Sequence, residues 1–395
     1  MLPVADASTM IAAKVPHLPA ALRPLRQLCG TVLAETVCME RDQPPFDRVT
    51  MDGIAMNSGS AGRQLRVIGV QAAGAAPMTL ADSDACIEVM TGAELPHGTD
   101  CVIPVEQLRK LGNHVELMPQ ALPQAWLNVH RRGSDAARGQ LMLHPGMRLT
   151  AAEIAVIASA GQSGAKVHDT PRIALVSTGD ELVEPGEPIQ PWQVRRSNSY
   201  ALHAALTRHG FTQLNDVHLR DDLLVLREHL SRLLAGHDVL VLSGGVSMGK
   251  FDFVPQVLGE LGVECLFHTV AQRPGKPLWF GVHADGKAVF ALPGNPVSTM
   301  MCLHRYVLPG LLAMMGGQQP REVISLGAGT SGHPELTFFM PVKLVTDTAG
   351  IVRALPCPTR GSGDFVSLLS TDGFVELPPS SASIAAGEVL PLYRW

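Results

Sequence analysis

Three short stretches combine glycine, hydroxyl and carboxylate residues in a pattern suited to phosphate chemistry. They are Thr178-Gly179-Asp180-Glu181, then Gly244-Gly245-Val246-Ser247-Met248-Gly249 with Asp252 close behind, and Pro293-Gly294-Asn295-Pro296. Glycine lets backbone N–H groups approach a ligand closely. A helix starting just after such a loop adds partial positive charge, which favours an anion. The carboxylates Asp180, Glu181, Asp221 and Asp252 would repel a bare phosphate, and a hard cation such as Mg²⁺ bridging both resolves that conflict. Arg195, Arg196, Lys250, Arg273 and Lys276 supply positive charge nearby in the chain. The combination suits phosphoryl or nucleotidyl transfer. Each stretch also has a plainer reading. TGDE can be a helix start, GGVSMG a tight turn, and PGNP a turn with Pro at the first helical position. Asp221 is a good helix N-cap, and Arg195 and Arg196 suit a solvated rim. It is their joint occurrence that favours a site.

The flanking pattern explains how these loops would meet. RIALVS (172–177), LNDVHL (214–219), DVLVLS (238–243), PLWFGV (277–282) and AVFALP (288–293) read as strands. Between and after them, helical spacing covers Ser199 to His209, the segment after Asp221, Phe253 to Leu261, and Pro296 to about Met315. This alternation predicts a parallel, doubly wound sheet. The three loops follow strands, so they should share the crevice at the carboxyl edge, where such sheets bind ligands. Residues 47–145 carry short apolar runs between Gly-, Pro- and Asp-rich turns, among them LRVIGV, ACIEVM and CVIPVE, which predicts a small β module. The spacing also predicts a helix over Leu25–Met39, ended by PPFD, and another from Thr150 to about Ser159 with a Thr150/Glu153 capping box. After GGQQP (316–320) the pattern returns to β.

Bulk properties exclude several classes. At 395 residues the chain exceeds a single core, which stops growing near ~250–300 residues. Only 5% is aromatic and the net charge is −5, so neither stacking surfaces nor a basic footprint for nucleic acid is expected. Seven cysteines form no CxxC and fifteen histidines no HExxH, so buried reduced thiols are expected, and a zinc site has no support. No stretch approaches the ~20 apolar residues of a membrane span. The first thirty residues lack a signal-type apolar core. A cytoplasmic protein is the expectation.

With these motifs laid out, the chain resembles the MoeA family of molybdopterin molybdenumtransferases, which is related to the C-terminal part of gephyrin. The similarity runs through PPFDRVTMDGIA (44–55), MTGAELPHGTDCVIPVE (90–106), RRGSD (131–135), STGDELVEPGEPI (177–189) and SNSYAL (197–202). It continues in SGGVSMGKFDF (243–253), RPGKPLWFG (273–281), LPGNPVS (292–298) and, more weakly, GSGD (361–364). Adenylylating MogA-type enzymes share the central motifs but lack the MDG and MTGA segments. The resemblance implies a multidomain α/β plus β fold. An elongated N-terminal domain would be built from residues 1–43 and 136–168, with a β-rich module inserted at 44–135. A doubly wound molybdopterin-binding α/β domain would cover 169–316, and a C-terminal β-barrel-like domain 317–395.

The reaction implied is adenylyl-molybdopterin plus molybdate giving molybdenum cofactor and AMP, with Mg²⁺. The family's functional positions fall on Asp52, Thr91, Asp135, Glu181, Asp221, Asp252, Lys276, Pro293, Pro296 and Ser362. Asp52, Glu181, Asp221 and Lys276 would be catalytic, and Asp221 and Asp252 would hold the metal. Gly244, Gly245 and Ser247 would cradle phosphate, and Thr178, Gly179, Asp180, Gly294 and Asn295 would line the substrate. Arg273 would attract molybdate. Family members are homodimers in which the inserted module closes on the partner's α/β domain. Transient contacts with a molybdopterin adenylyltransferase and with apo-molybdoenzymes are also implied.

The chain departs from the family pattern in places. Ile54 stands where Tyr is frequent, and Arg196 and Lys250 stand where Asp/Asn and Asp/Glu are frequent. Thr269 replaces a common Lys. The added charge either strengthens anion binding or marks a paralogue with altered chemistry. Two other functions stay open at this point. One is the adenylyltransferase step, which would need ATP. The other is a non-catalytic cofactor carrier or scaffold, which would bind molybdopterin without releasing AMP.

Overall fold

Alternate residues of the central strands enter two different cores, and this determines the layering of the α/β region. A computed structural model describes residues 1–245 and 253–395. In chain order the strands are β1 (Ile173–Thr178), β2 (Leu214–Leu219), β3 (Val239–Ser243), β4 (Val263–Phe267), β5 (Trp279–His283) and β6 (Lys287–Leu292). Ile173, Leu175, Val239, Val241 and Phe290 face one core, together with helices α1 (Asn198–Arg208), α4 (Pro296–Cys302) and α5 (Leu308–Met314). Ala174, Val176, Leu240, Leu242 and Val289 face the other, with α2 (Leu223–Gly236) and α3 (Val254–Glu260). A strand buried on both faces has no polar alternation, which is why these segments read as continuous apolar runs.

The sheet order is β2-β1-β3-β6-β5-β4. The first four strands are parallel, and β5 and β4 run antiparallel to their neighbours. The all-parallel expectation therefore fails at one edge. Only Ala284, Asp285 and Gly286 join β5 to β6, and a parallel crossover needs a dozen or more residues. Edge strand β4, with polar Glu264 inside it, has no counterpart in the sequence reading. The long helix expected from Pro296 is interrupted by a π turn at Leu303–Val307 between α4 and α5.

The chain divides into two compact units. One comprises Met1–Glu35, Pro145–Ala151 and Ala165–Trp395; the other comprises Thr36–His144 and Ala152–Gly164. In the first, the helix Val4–Lys14 buries Val4, Ala7 and Ile11 in the core under α5. The helix expected over Leu25–Met39 is absent. Gly30 adopts φ +83°, and the short strands Val32–Leu33 and Val37–Cys38 follow it. The C-terminal module runs its strands in the order Gln272–Arg273, Thr337–Thr346, Gly373–Leu377, Val389–Arg394, Glu322–Ser325, with Val352–Pro356 on the second of these. A bridge from Leu326 to Ala354 returns the path on itself, barrel-like, around Met340, Val342, Val375 and Leu392.

The second unit holds a six-stranded sheet in the order Cys101–Pro104, Gly53–Met56, Ala85–Val89, Gln64–Gln71, His114–Leu117, Leu108–Leu111. Its centre excludes any side chain at Gly53, where a Cβ would lie 1.9 Å from the Ile103 carbonyl oxygen. Among the described residues no helix is long and apolar enough to cross a membrane. All seven cysteines are free, but Cys86, Cys101 and Cys302 alone are buried, while Cys29, Cys38 and Cys265 are exposed. The expectation of uniformly buried thiols is thus corrected. Burial pushes the three inner thiols up to about 12, leaving them unreactive.

Candidate functional site

The ends of β1, β3 and β6 meet around a cavity of about 510 Å³. Thr178 and Glu181 line it from the first loop, Ser243 and Gly244 from the second, and Gly294, Asn295 and Pro296 from the third. Backbone geometry explains the glycines. Gly244 and Gly245 adopt φ +96° and +69°. A Cβ on Gly244 would stand 2.8 Å from the Thr178 carbonyl oxygen, and one on Gly245 would stand 2.7 Å from Thr178 Oγ1. These residues therefore bring bare backbone against the first loop. Asn295 is the N-cap residue of α4, and Pro296 is at its first positions, as PGNP implied.

Asn198, at the start of α1, ties the second and third loops together. Its Nδ2 donates to Gly294 O at 2.7 Å and to Ser243 Oγ at 2.9 Å. Thr299 donates to the Pro293 carbonyl at 2.6 Å. The C-terminal module reaches the same place, because Asn295 Nδ2 donates to Ser362 Oγ at 2.8 Å and Val297 N donates to Ser362 O at 3.0 Å. Sequence reasoning missed Asn198 and Ser243 as site residues. The signal was SNS directly before a helix in a chain already rich in strand-end polar residues.

Among the described residues, four polar atoms of cavity-lining residues are buried without a hydrogen-bond partner: Thr178 Oγ1, Arg196 Nε, Asn198 Oδ1 and Ser199 Oγ. Buried polar groups are nearly always paired, so a cluster of exceptions beside one cavity sets this place apart from the rest of the fold. Arg195 and Arg196 are wall residues as well, so they are more than a solvated rim. Arg196 Nη1 donates to Glu184 Oε2 at 2.9 Å. Tyr200 donates its hydroxyl to the same carboxylate. That bond, with the arginine beside it, holds Glu184 below the usual carboxylate range.

The remaining expected residues distribute as follows. Asp180 pairs with Arg220 at 3.3 Å on the open surface, and the Glu181 carboxylate lies over Gly179. Asp221 follows β2, but it is Asp222 that caps α2, accepting from Leu224 N and Val225 N. Arg273 and Lys276 are exposed and do not line the cavity. Their loop is nevertheless rigidly held. Gln272 Nε2 donates to Gly275 O at 2.8 Å, Tyr306 donates to Gln272, and Gly275 packs against Cys302 and Ser298 of α4. Ser247, Lys250 and Asp252 lie outside the described residues.

In the second unit the structure joins Asp52 to Thr91. Asp52 Oδ1 accepts from Thr91 N at 2.7 Å and Thr91 Oγ1 at 2.8 Å, which holds its carboxyl below the usual range. Asp135 accepts from His130 Nε2 at 2.7 Å, while His130 Nδ1 faces Arg48 Nη2 at 2.9 Å. Arginine only donates, so Nδ1 is the acceptor and Nε2 carries the hydrogen.

Among the described residues no group of three or more His, Cys, Asp or Glu side chains could enclose a metal ion. Mg²⁺ does not require such a cage, since one or two carboxylates plus substrate phosphate suffice.

Three family profiles match in chain order: "MoeA N-terminal region (domain I and II)" over residues 2–161, "Probable molybdopterin binding domain" over 174–313, and "MoeA C-terminal region (domain IV)" over 324–395. A molybdopterin molybdenumtransferase of Synechocystis sp. is 39% identical over 399 residues, spanning 100% of both chains. One from Staphylococcus epidermidis is 29% identical, covering 93% of this chain and 89% of the relative. A crystal structure of a molybdopterin biosynthesis MoeA protein from Pyrococcus horikoshii superposes with a TM-score of 0.79 at 26% identity, covering 100% of each chain. Full-length similarity to the Synechocystis enzyme, together with the three consecutive profile matches, establishes that this chain belongs to the MoeA family of molybdopterin molybdenumtransferases.

Proposed function

We propose that the chain is a molybdenumtransferase that converts adenylyl-molybdopterin and molybdate into molybdenum cofactor with release of AMP. The observation that carries this reading is the convergence of three strand-end loops on one cavity with glycines at its edge. Full-length identity to a relative of that name supports it.

In this reading the backbone of Gly244 and Gly245, with Ser247, cradles phosphate, and the N-terminus of α4 adds favourable field. Thr178, Asn295 and Ser362 orient the substrate. Lys276 and Arg273 draw molybdate and neutralise charge as the phosphoanhydride is cleaved by water. Glu181 and Asp52 orient the water or the dithiolene end. Asp221 and Asp252 would hold Mg²⁺, which when bound neutralises phosphate charge and polarises the phosphoryl oxygen. We infer further that the protein is a cytoplasmic homodimer that meets a molybdopterin adenylyltransferase and apo-molybdoenzymes transiently.

The test is a coupled assay with adenylyl-molybdopterin, molybdate and Mg²⁺, following AMP release and recovery of an apo-molybdoenzyme. Molybdate-dependent AMP release is expected. Binding without release would leave a carrier, and ATP-dependent formation of the adenylyl-pterin would make the chain the preceding enzyme. Sedimentation at micromolar concentration checks the dimer.

A further inference from the structure

α4 changes pitch where it passes the loop that carries Arg273 and Lys276. It gives way to the π turn Leu303–Val307 before α5 begins. A π turn inserts an extra residue into a helix, and such turns are frequent at functional sites. This one carries Tyr306, which is 1% exposed and donates its hydroxyl to Gln272 Oε1. Burial pushes the phenol well above its usual range, so the group stays a neutral donor.

Gln272 is equally buried and stands at the head of the loop. Tyr306 occupies its Oε1, which fixes the orientation of the amide. Nε2 then donates to Gly275 O at 2.8 Å and approaches Cys302 Sγ at 3.4 Å. Gly275 has φ +90°, and a Cβ there would lie 2.9 Å from Cys302 Sγ, so bare backbone rests on α4. Next in the chain, Lys276 O accepts from Val270 N and Leu278 N, each at 3.0 Å. The backbone of Lys276 is therefore anchored on both sides while its side chain is exposed. A buried Tyr–Gln pair also satisfies polar atoms in any core. What sets this one apart is where its last hydrogen bond falls, on the carbonyl joined to the Lys276 nitrogen.

We propose that Tyr306 is a positioning residue for molybdenum transfer, acting through Gln272 and Gly275 to set where Lys276 stands against the anionic substrate. The proposal rests on the molybdenum-transfer reading for what Lys276 does, and on the hydrogen-bond relay alone for how Lys276 is held.

Tyr306→Phe in the full chain keeps the ring and removes one hydroxyl, leaving Gln272 Oε1 buried without its donor. The amide is then free to turn and release Gly275. The kcat for AMP release should fall by about tenfold or more, within what a displacement near 1 Å can cost. KM for adenylyl-molybdopterin should stay within about twofold, because neither Tyr306 nor Gln272 lines the cavity. Made on Lys276→Ala, the same change should lower kcat no further, since groups acting through one another are not additive. Adding Gln272→Met to Tyr306→Phe removes the stranded acceptor, so stability should recover while the loss of kcat remains. Amide hydrogen exchange reads the relay without any substrate. Val270 and Leu278 should exchange faster in Tyr306→Phe, with the helix Val4–Lys14 unchanged as the sign that the opening is local. A normal kcat in folded Tyr306→Phe, or unchanged exchange at both amides, overturns the proposal. So does an equal fractional loss on Lys276→Ala, or return of kcat together with stability in the double variant. A wild type that releases no AMP would reject molybdenum transfer, and the exchange at Val270 and Leu278 would still decide whether Tyr306 holds the loop.

Discussion

Replacing Asn198 by Ala should damage catalysis far more than stability. The substitution removes the Nδ2 donor to Gly294 O at 2.7 Å and to Ser243 Oγ at 2.9 Å; the 3.4 Å approach to Thr299 adds little. Two intramolecular hydrogen bonds at about 0.5–1.5 kcal/mol each give a loss of about 1–3 kcal/mol. Ser243 is 4% exposed and would be left unpaired, which favours the upper end. Gly294 is exposed and regains water, which favours the lower. About 2 kcal/mol is the expected value. The catalytic effect is larger because Gly294 and Gly244 face each other, with a Cβ on Gly294 standing 3.7 Å from Gly244 Cα. Losing the clamp lets these backbones drift, and a displacement near 1 Å can cost about 10²-fold in rate. Asn198→Asp separates geometry from size. It keeps the shape but sets a carboxylate oxygen against the Gly294 carbonyl with no hydrogen between them, so it should be as inactive as Ala. Urea unfolding gives the first quantity, and kcat and KM for AMP release give the second. Normal kcat and KM in Asn198→Ala, with an unchanged unfolding midpoint, would refute the idea that this amide holds the loops together.

Three further outcomes are expected. His304 is buried, with Nδ1 2.9 Å from the Met300 carbonyl oxygen and Nε2 without a partner among the described residues, beside His209 and Trp395. Burial lowers its pKa from 6.5 to about 4, so the unfolded chain takes up the proton first. Stability should fall by roughly 3 kcal/mol as pH drops from about 6.5 to 4. Urea titrations at stepped pH should show this component missing in His304→Phe, and an identical pH dependence in both proteins would disprove it. Lys276→Ala should leave stability within about ±0.5 kcal/mol, as for an exposed residue, yet lower turnover by about 10²–10³ if it neutralises developing charge. Near-normal AMP release would remove it from the mechanism. Asp221→Asn should raise the Mg²⁺ concentration needed for half-maximal AMP release, and an unaltered Mg²⁺ response would assign the metal elsewhere.

What could be read from the sequence follows from the range of the forces involved. β1, β3 and β6 are buried on both faces, so their apolar runs were visible, and the loops after them carry glycines with strong local meaning. The Leu25–Met39 error has a local cause and a tertiary one. Gly30 takes a left-handed conformation, and Val32 bridges Arg148, a partner more than a hundred residues away. No element is read from the spacing at the start of the chain, where Val4–Lys14 becomes a helix by burying one face. Asp221 and Asp222 are adjacent acids, and only the backbone turn reveals that the second is the cap. That Thr178 Oγ1, Arg196 Nε and Ser199 Oγ find no partner among the described residues leaves no trace in composition or spacing, because pairing is a property of the surroundings.

The strand Gln272–Arg273 hydrogen-bonds in register with Thr337–Phe338, and Ser362 holds the loop ahead of α4. The C-terminal module is therefore not a detachable accessory. Two small patches of it, at 337–338 and at 362, act as splints for loops that belong to the α/β region. In a chimera exchanging residues 324–395 with those of a relative, most of the barrel surface should be free to vary. Activity should depend on whether the graft preserves those two patches. The module is interchangeable in bulk and constrained at its seams.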